Sequence, residues 1–285
     1  MIKQTVYCLL FIFLAAGCTE KVDVKLDDTY TRLVVDGNIE TDTGAYSVTL
    51  TRSANYFYNE PAQKVVNAIL ELTNGDTTFI LHETEEGKSG VYNTDSTFSG
   101  TIGKTYTLTI SLPEVIGGTD TYTSSCALRQ VAHLDSIKAI FHPDWGKEGF
   151  WTVKLWAQEP GDETNYYLFN LYRNGKLLTD TINKKVISDD AFYNGSYMNG
   201  VDAVYLNHAH KWETIFPGDT ITLQMSGITK EYHGFIAQVQ QAGFTIPFFS
   251  GPPANVQGNI SDGGIGFFAA FSNSYASTIV PNFSK

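Results

Sequence analysis

From Thr31 onward, apolar and polar residues alternate in short runs that are separated by Gly, Asn and Asp. The clearest run is 104–110, in which Tyr106, Leu108 and Ile110 alternate with threonines. Successive side chains of a β-strand point to opposite faces, so this period predicts a strand with one buried and one solvated face. The predicted strands before residue 131 are 32–39, 46–52, 65–73, 77–82, 90–94, 105–111 and 121–128. Seven short strands in about 100 residues predict an immunoglobulin-like or fibronectin-like β-sandwich at residues 30–131.

The second half of the chain, residues 132–285, is also predicted to be mostly β. Its predicted strands are 134–141, 150–158, 165–173, 176–187 and 263–271, with a tight hairpin at Asn174 and Gly175. One amphipathic helix is predicted at about 227–242, with Ser226 as its N-cap and Gly243 as its stop. Its apolar stripe comprises Tyr232, Phe235, Ile236 and Val239. The fold class is therefore predicted to be mainly β, with two β domains and one helix.

The first 17 residues have the pattern of a lipoprotein signal peptide. An apolar stretch at 6–16 is too short to span a bilayer, and it ends in Leu14-Ala15-Ala16-Gly17-Cys18, which is a lipobox. We expect Cys18 to carry the lipid, with residues 18–29 as a tether between the lipid and the first domain. Several acyl chains hold a protein on a membrane almost permanently. The expected location is the outer membrane, with the periplasmic and the cell-surface side both open.

Charge and cysteine content narrow the classes of partner. The formal net charge of the chain is −11, so we expect it to be repelled by nucleic acid. Of the three cysteines, Cys8 lies in the signal and Cys18 is lipidated, which leaves Cys126 without an internal disulfide partner. Its neighbours Ser124, Ser125 and Ala127 provide no cation that would activate it, so we expect a buried, inert thiol.

Several motifs resemble one known family. They are Leu33-Val34-Val35-Asp36-Gly37-Asn38-Ile39, Ala68-Ile69-Leu70-Glu71-Leu72, Gly90-Val91-Tyr92, Gly103-Lys104-Thr105-Tyr106-Thr107-Leu108, Asn255-Val256-Gln257-Gly258-Asn259-Ile260 and Gly264-Ile265-Gly266-Phe267-Phe268. In this order they resemble a Bacteroidetes lipoprotein family labelled domain of unknown function 4249. The resemblance implies an outer-membrane accessory protein, often encoded beside TonB-dependent transporters, and it carries no catalytic residues.

Motifs for catalysis are not evident in the sequence. His208 and His210, with Glu213 nearby, are weak metal candidates, because residues two apart on a strand share a face. A third ligand is not evident, and surface histidines explain the same pattern, so neither a metal nor another cofactor is expected. The acidic pairs Asp189-Asp190 and Glu85-Glu86 are interpreted as solvated turn residues. We therefore expect a protein that is not an enzyme.

The aromatic and amide-rich stretch 191–200 is the best candidate for ligand binding. Tyr193 and Tyr197 could stack on a sugar or peptide, while Asn194 and Asn199 would orient the ligand by hydrogen bonds. The alternative is a long connection whose aromatic side chains pack back on the sheet. Trp151 and Trp156 fall on opposite faces of one predicted strand, so at most one of these two is expected to be exposed.

These patterns favour a non-enzymatic lipoprotein that binds a nutrient or a partner and assists a TonB-dependent transporter. One alternative is a structural or assembly role in the envelope, with protein contacts only. A third is a hydrolase of glycans or peptides, which would need facing carboxyl groups or a metal at His208 and His210.

Overall fold

The computed structural model describes residues 31–53, 61–243 and 256–282. The predicted signal peptide, the lipidation site Cys18 and the tether 18–29 lie outside these residues. Within the described part the chain is mainly β, as predicted, with a single α-helix. The strands of the first half are β1 (Leu33–Glu40), β2 (Ser47–Arg52), β3 (Ile69–Thr73), β4 (Thr78–Glu83), β5 (Val91–Asn93), β6 (Thr105–Ile116) and β7 (Thr119–Ala127). The later elements are β8 (Leu134–His142), β9 (Phe150–Gln158), β10 (Tyr166–Arg173), β11 (Lys176–Leu177), β12 (Val186–Asp189), β13 (Tyr197–Asn207), β14 (Thr220–Ile228), α1 (Lys230–Ala242) and β15 (Ile265–Ile279).

The seven strands of the first half enclose one core, which gives a sandwich-like arrangement. They are hydrogen-bonded in the order β1-β2-β5-β4-β3-β6-β7. The alternation in β6 has the predicted result, because Tyr106, Leu108 and Ile110 are buried in the core while the threonines between them are not. Cys126 is buried in the same core.

Strand β15, near the end of the described chain, belongs to both halves of the fold. It pairs in parallel with β1 from Val34 opposite Ile265 to Glu40 opposite Phe271. Its later residues pair antiparallel with β14. Phe268 and Ala270 are buried in the first core, so a segment more than 130 residues away in sequence completes the N-terminal sandwich. The domain boundary predicted at 131–132 falls between β7 and β8, but β15 pairs with strands from both halves of the fold.

The second half forms another two-layer arrangement around its own core. Strands β13, β9 and β8 make a three-stranded antiparallel sheet, and β10, β14 and the end of β15 lie on the other side of the core. Trp151, Val153 and Leu155 of β9 point into this core, as do Leu223 and Met225 of β14. The predicted strand 176–187 is interrupted: β11 and β12 both pair with β10, and a short 3-10 turn, Ile182–Lys184, lies between them.

Helix α1 starts later than predicted. Ser226 is a buried residue of β14 whose hydroxyl donates to Asn273 Oδ1 at 2.7 Å, so its prediction as the N-cap was wrong. Thr229 is the N-cap, and its hydroxyl accepts a hydrogen bond from Tyr232 N at 3.3 Å. The reason is that Gly227 and Ile228 pair with β10, which keeps them in the sheet. Across the described ranges, no helix is long and apolar enough to cross a bilayer.

The apolar side of α1 covers the outer face of β15. Ile236 is fully buried, and the ring of Tyr232 packs 4.9 Å from that of Phe267. The ring of Phe235 also packs against Phe267, at 5.2 Å. Phe271 lies four residues after Phe267 on the same face of β15, and its ring centre is 5.3 Å from that of Tyr232. The helix therefore buries the face of β15 that points away from the first core.

The pairing of β15 with β1 depends on Gly266. Its φ is +100°, and a Cβ at this position would lie 1.9 Å from the carbonyl oxygen of Val35, its partner on β1. No other residue fits here unless the two strands separate, because both the backbone conformation and the close approach exclude a side chain.

We predict that Gly266→Ala lowers the free energy of unfolding by about 3 kcal/mol or more, since it adds a backbone clash to conformational strain. Gly263→Ala is the matched control: φ is +75° there, but no atom lies within 4 Å of the added Cβ. It should cost only about 1 kcal/mol. Urea unfolding of both variants measures the difference. Equal losses would show that the contact with Val35 is not the constraint.

Candidate functional site

The solvent-facing side of the three-stranded sheet carries a group of aromatic and polar side chains. Alternation along β9 places Lys154 and Trp156 on the side opposite to the buried Trp151. The antiparallel register puts Asn199 opposite Trp156, Asp202 opposite Lys154, and Tyr205 opposite Thr152. This surface, hereafter the aromatic face, consists of Lys154, Trp156, Tyr197, Asn199, Asp202 and Tyr205.

Trp156 is held in one orientation by its neighbours on β13. Its Nε1 donates to Asn199 Oδ1 at 2.8 Å. Gly200 lies at an irregularity of the β13 pairing, with φ at +75°, and a Cβ there would approach the indole Cζ2 to 3.0 Å. Because Gly200 has no side chain, the indole lies directly over the strand. A fixed aromatic ring loses little conformational entropy when a ligand packs on it.

Polar groups of the aromatic face are also oriented by contacts within the sheet. Lys154 Nζ lies 2.7 Å from Asp202 Oδ1 and donates to the carbonyl oxygen of Gly200 at 3.2 Å. Tyr197 donates its hydroxyl to Asp135 Oδ2 at 2.9 Å, and this hydrogen bond raises the pKa of Tyr197. The ring of Tyr197 is still 47% exposed, and that of Tyr205 is 54% exposed.

The spacing of the rings defines an extended surface. Trp156 and Thr152, which is paired with Tyr205, are four residues apart on β9, or about 13 Å at the rise of a β-strand. Between them lies the Lys154 and Asp202 ion pair. Exposed rings can stack on the apolar face of a sugar or on a peptide, and the ionic and amide groups between them can hydrogen-bond to it. The arrangement therefore suits binding.

The four residues predicted to bind a ligand are divided between two environments. Tyr197 and Asn199 belong to β13 and to the aromatic face, so the predicted loop 191–200 ends in a strand. Tyr193 packs against the second core instead, and Asn194 Nδ2 donates to the carbonyl oxygen of Glu163 at 3.2 Å. The structure thus places two of the four, Tyr197 and Asn199, on the aromatic face. Trp156, which interacts with Asn199, was noted in the sequence only as one of two alternating tryptophans.

A buried carboxyl pair anchors the turn that precedes β13. Asp190 is buried, contrary to its interpretation as a solvated turn residue, and its Oδ2 accepts from Asn165 N at 2.9 Å. Glu159 is also buried; it accepts hydrogen bonds from the Tyr167 hydroxyl and, at 3.1 Å, from Asn165 Nδ2. Burial raises the pKa of Glu159, and the Asp190 carboxylate adds to the increase, which the bonds from Tyr167 and Asn165 only partly offset.

We predict that Glu159 contributes stability that is lost as the pH rises through its raised pKa. A carboxyl group with a raised pKa binds more protons in the folded than in the unfolded state, so stability decreases between the ordinary pKa and the raised one. Glu159→Gln should remove the part of that decrease due to Glu159 and be more stable than the wild type at neutral pH. Urea unfolding between about pH 4 and pH 8 measures it. The exposed Glu86→Gln is the control, and identical pH dependence in all three proteins would contradict the prediction.

The two histidines considered as metal ligands have other contacts. His208 follows β13 in a turn, and its ring lies 5.9 Å from that of Phe141 and 6.1 Å from that of Phe216. His210 Nδ1 is hydrogen-bonded to Glu213 Oε1 at 2.6 Å. Among the residues that the structure describes, no group of three or more His, Cys, Asp or Glu side chains could hold a metal ion.

Cys126 is buried, as predicted from the sequence. Its side chain is buried in the first core, and burial raises the pKa of its thiol to about 11. A thiol of this kind carries almost no thiolate at neutral pH, and the thiolate is the reactive form.

Comparison with protein families gives one result for this chain. A family model described as domain of unknown function (DUF4249) matches residues 19–276, which include the whole aromatic face and every buried residue of the two cores except Val280. Comparison with curated proteins gives no match. The family predicted from the sequence motifs is therefore confirmed.

Proposed function

The chain belongs to the family described as domain of unknown function (DUF4249), and from this premise we propose that it is a non-enzymatic binding protein. In this proposal it is anchored to the outer membrane through Cys18 and assists a TonB-dependent nutrient transporter. The lipobox supports the anchor, and the family resemblance supports the partnership by analogy alone.

The observation that carries the binding role is the aromatic face. The side chains of Tyr197 and Tyr205 are exposed and that of Trp156 is half-buried. Trp156 is oriented by Asn199 and Gly200, and Tyr197 is oriented by Asp135. They lie on paired strands of a sheet, which places side chains more precisely than a loop does. Two exposed tyrosines beside an ion pair and an amide form a surface for a neutral saccharide or an extended peptide.

A binding measurement with matched tyrosine variants tests this role. We predict that Tyr197→Ala and Tyr205→Ala each weaken binding to an immobilised neutral oligosaccharide panel by up to about tenfold, the equivalent of one lost stacking contact. Tyr275→Ala is the control, because Tyr275 is 44% exposed and also donates its hydroxyl to an aspartate, Asp42, but lies on β15. Binding that is lost equally in all three variants, or absent from the wild type, would count against the aromatic face.

The partnership with a transporter needs a separate measurement. The full lipidated protein, crosslinked in native outer membranes, should recover a TonB-dependent transporter by mass spectrometry, and a Cys18→Ser form should not, because it lacks the anchor. Recovery of envelope proteins without a transporter would favour the structural or assembly role. Unchanged membrane attachment of the Cys18→Ser form would refute the lipid anchor.

A further inference from the structure

A groove lined by cations lies outside the aromatic face. It is located between the β10–β11 hairpin and the turn that follows β13, and its volume is about 370 Å³. The basic groove, as we name it, includes Arg173, Lys176, Asp180, Lys184, Lys211 and Trp212. Four cations and one carboxylate line it, although acidic residues outnumber Lys and Arg by 30 to 19 in the chain as a whole. The residues that line the groove therefore carry a net positive charge, opposite in sign to the net charge of −11 of the chain.

The hairpin at Asn174 and Gly175 creates one side of the groove. Both residues have positive φ, at 49° and 78°, as the two central positions of a type I′ turn require. The turn places Arg173 directly opposite Lys176 in the pairing of β10 with β11. Two cations are thus brought together by a turn that the sequence predicts.

Two of the four cations are held by other groups of the protein. Lys184 Nζ is 2.7 Å from Asp180 Oδ1 and 4.7 Å from the centre of the Trp212 ring. Arg173 Nη1 donates to the carbonyl oxygen of Thr214 at 2.5 Å, and its Nε lies 3.6 Å from Asp219 Oδ2. These contacts fix the positions of Lys184 and Arg173 and partly neutralise them.

The other two cations are available for an anion. Over the described ranges of the chain, neither Lys176 nor Lys211 forms a salt bridge with an acidic side chain. A carboxylate, sulfate or phosphate group placed between these two lysines would gain charge-assisted hydrogen bonds. Because Asp180 and Asp219 face Lys184 and Arg173, the net positive charge of the groove comes mainly from Lys176 and Lys211.

The lining also contains apolar surface. Leu177 and Leu178 are half-buried, and Trp212 is 41% exposed even with Lys184 against its ring. Indole faces pack well on flat, weakly polar rings such as those of sugars. The volume falls within the range of small-molecule sites. A ligand that fits this lining combines a ring with an anionic group.

We propose that the basic groove binds an acidic saccharide, whose anionic group contacts Lys176 and Lys211 and whose ring packs on Trp212. This site shares no residue with the aromatic face, so it does not depend on the function proposed above. The net negative charge of the chain repels anionic glycans in general, whereas the lysines of the basic groove attract them locally.

Isothermal titration calorimetry on the purified full chain tests the proposal with three probes: an oligogalacturonate, a neutral galactose oligomer of equal length, and inorganic phosphate. We expect the oligogalacturonate to bind at least about tenfold more tightly than the other two probes. Added salt should weaken this binding, because it screens the charges. Lys176→Gln with Lys211→Gln should reduce its affinity about tenfold or more. Lys64→Gln with Lys88→Gln removes the same charge elsewhere and should leave the affinity unchanged.

Variants of the tryptophan separate ring packing from charge. Trp212→Ala should weaken the binding of the oligogalacturonate but not that of phosphate. Trp212→Phe, which keeps an aromatic ring, should retain most of the affinity for the oligogalacturonate. Tyr197→Ala should have no effect, because that residue lies on the aromatic face. Three results would overturn the proposal. They are equal affinity for the acidic and neutral oligomers, an equal loss of oligogalacturonate affinity in both double-lysine variants, and no binding of the oligogalacturonate. Phosphate binding as tight as that of the oligogalacturonate would overturn its saccharide part.

Discussion

The two halves of this protein depend on one strand, β15, which pairs in parallel with β1 and antiparallel with β14. Its first residues complete the N-terminal core with Phe268 and Ala270, and its opposite face is covered by α1. A strand bonded on both sides cannot leave one half without exposing apolar surface in the other. At Gly266 the backbones of β15 and β1 approach so closely that there is no space for a side chain.

Beyond the helix, the same outer surface of the sheet becomes polar. Asn273 Nδ2 donates to Glu40 Oε2 at 2.6 Å and to Asp42 Oδ2 at 2.9 Å, which links β15 to the end of β1 and the turn after it. Burial raises the pKa of Glu40 and lowers that of Lys185, each disfavouring the charged form. Hydrogen bonds from Asn273 and Asn38 compensate part of this cost at Glu40. The shared strand is thus secured by an apolar contact with α1 and by a polar network beyond it.

The two candidate binding surfaces both belong to the second half of the fold, where β13 and the turns around it carry the exposed side chains. The aromatic face uses β13 where it pairs with β9, and Trp156 is oriented there by its sheet neighbour Asn199. The basic groove uses the turn after β13 together with the hairpin at Asn174 and Gly175. One surface is suited to neutral ligands and the other to anionic ones, because rings with amides dominate the first and lysines the second.

The sequence by itself determined the local features: the alternating faces of β6, the hairpin at Asn174 and Gly175, the buried thiol of Cys126 and the family. Each of these follows from residues that are close together in the chain, or from motifs in order. Only the tertiary structure decided that β15 pairs with β1, that Ser226 stays in a strand, that Asp190 is buried and that Tyr197 shares a face with Trp156. A period of two shows which residues share a face of a strand, but strand order and register depend on pairing between distant segments, which that period does not specify.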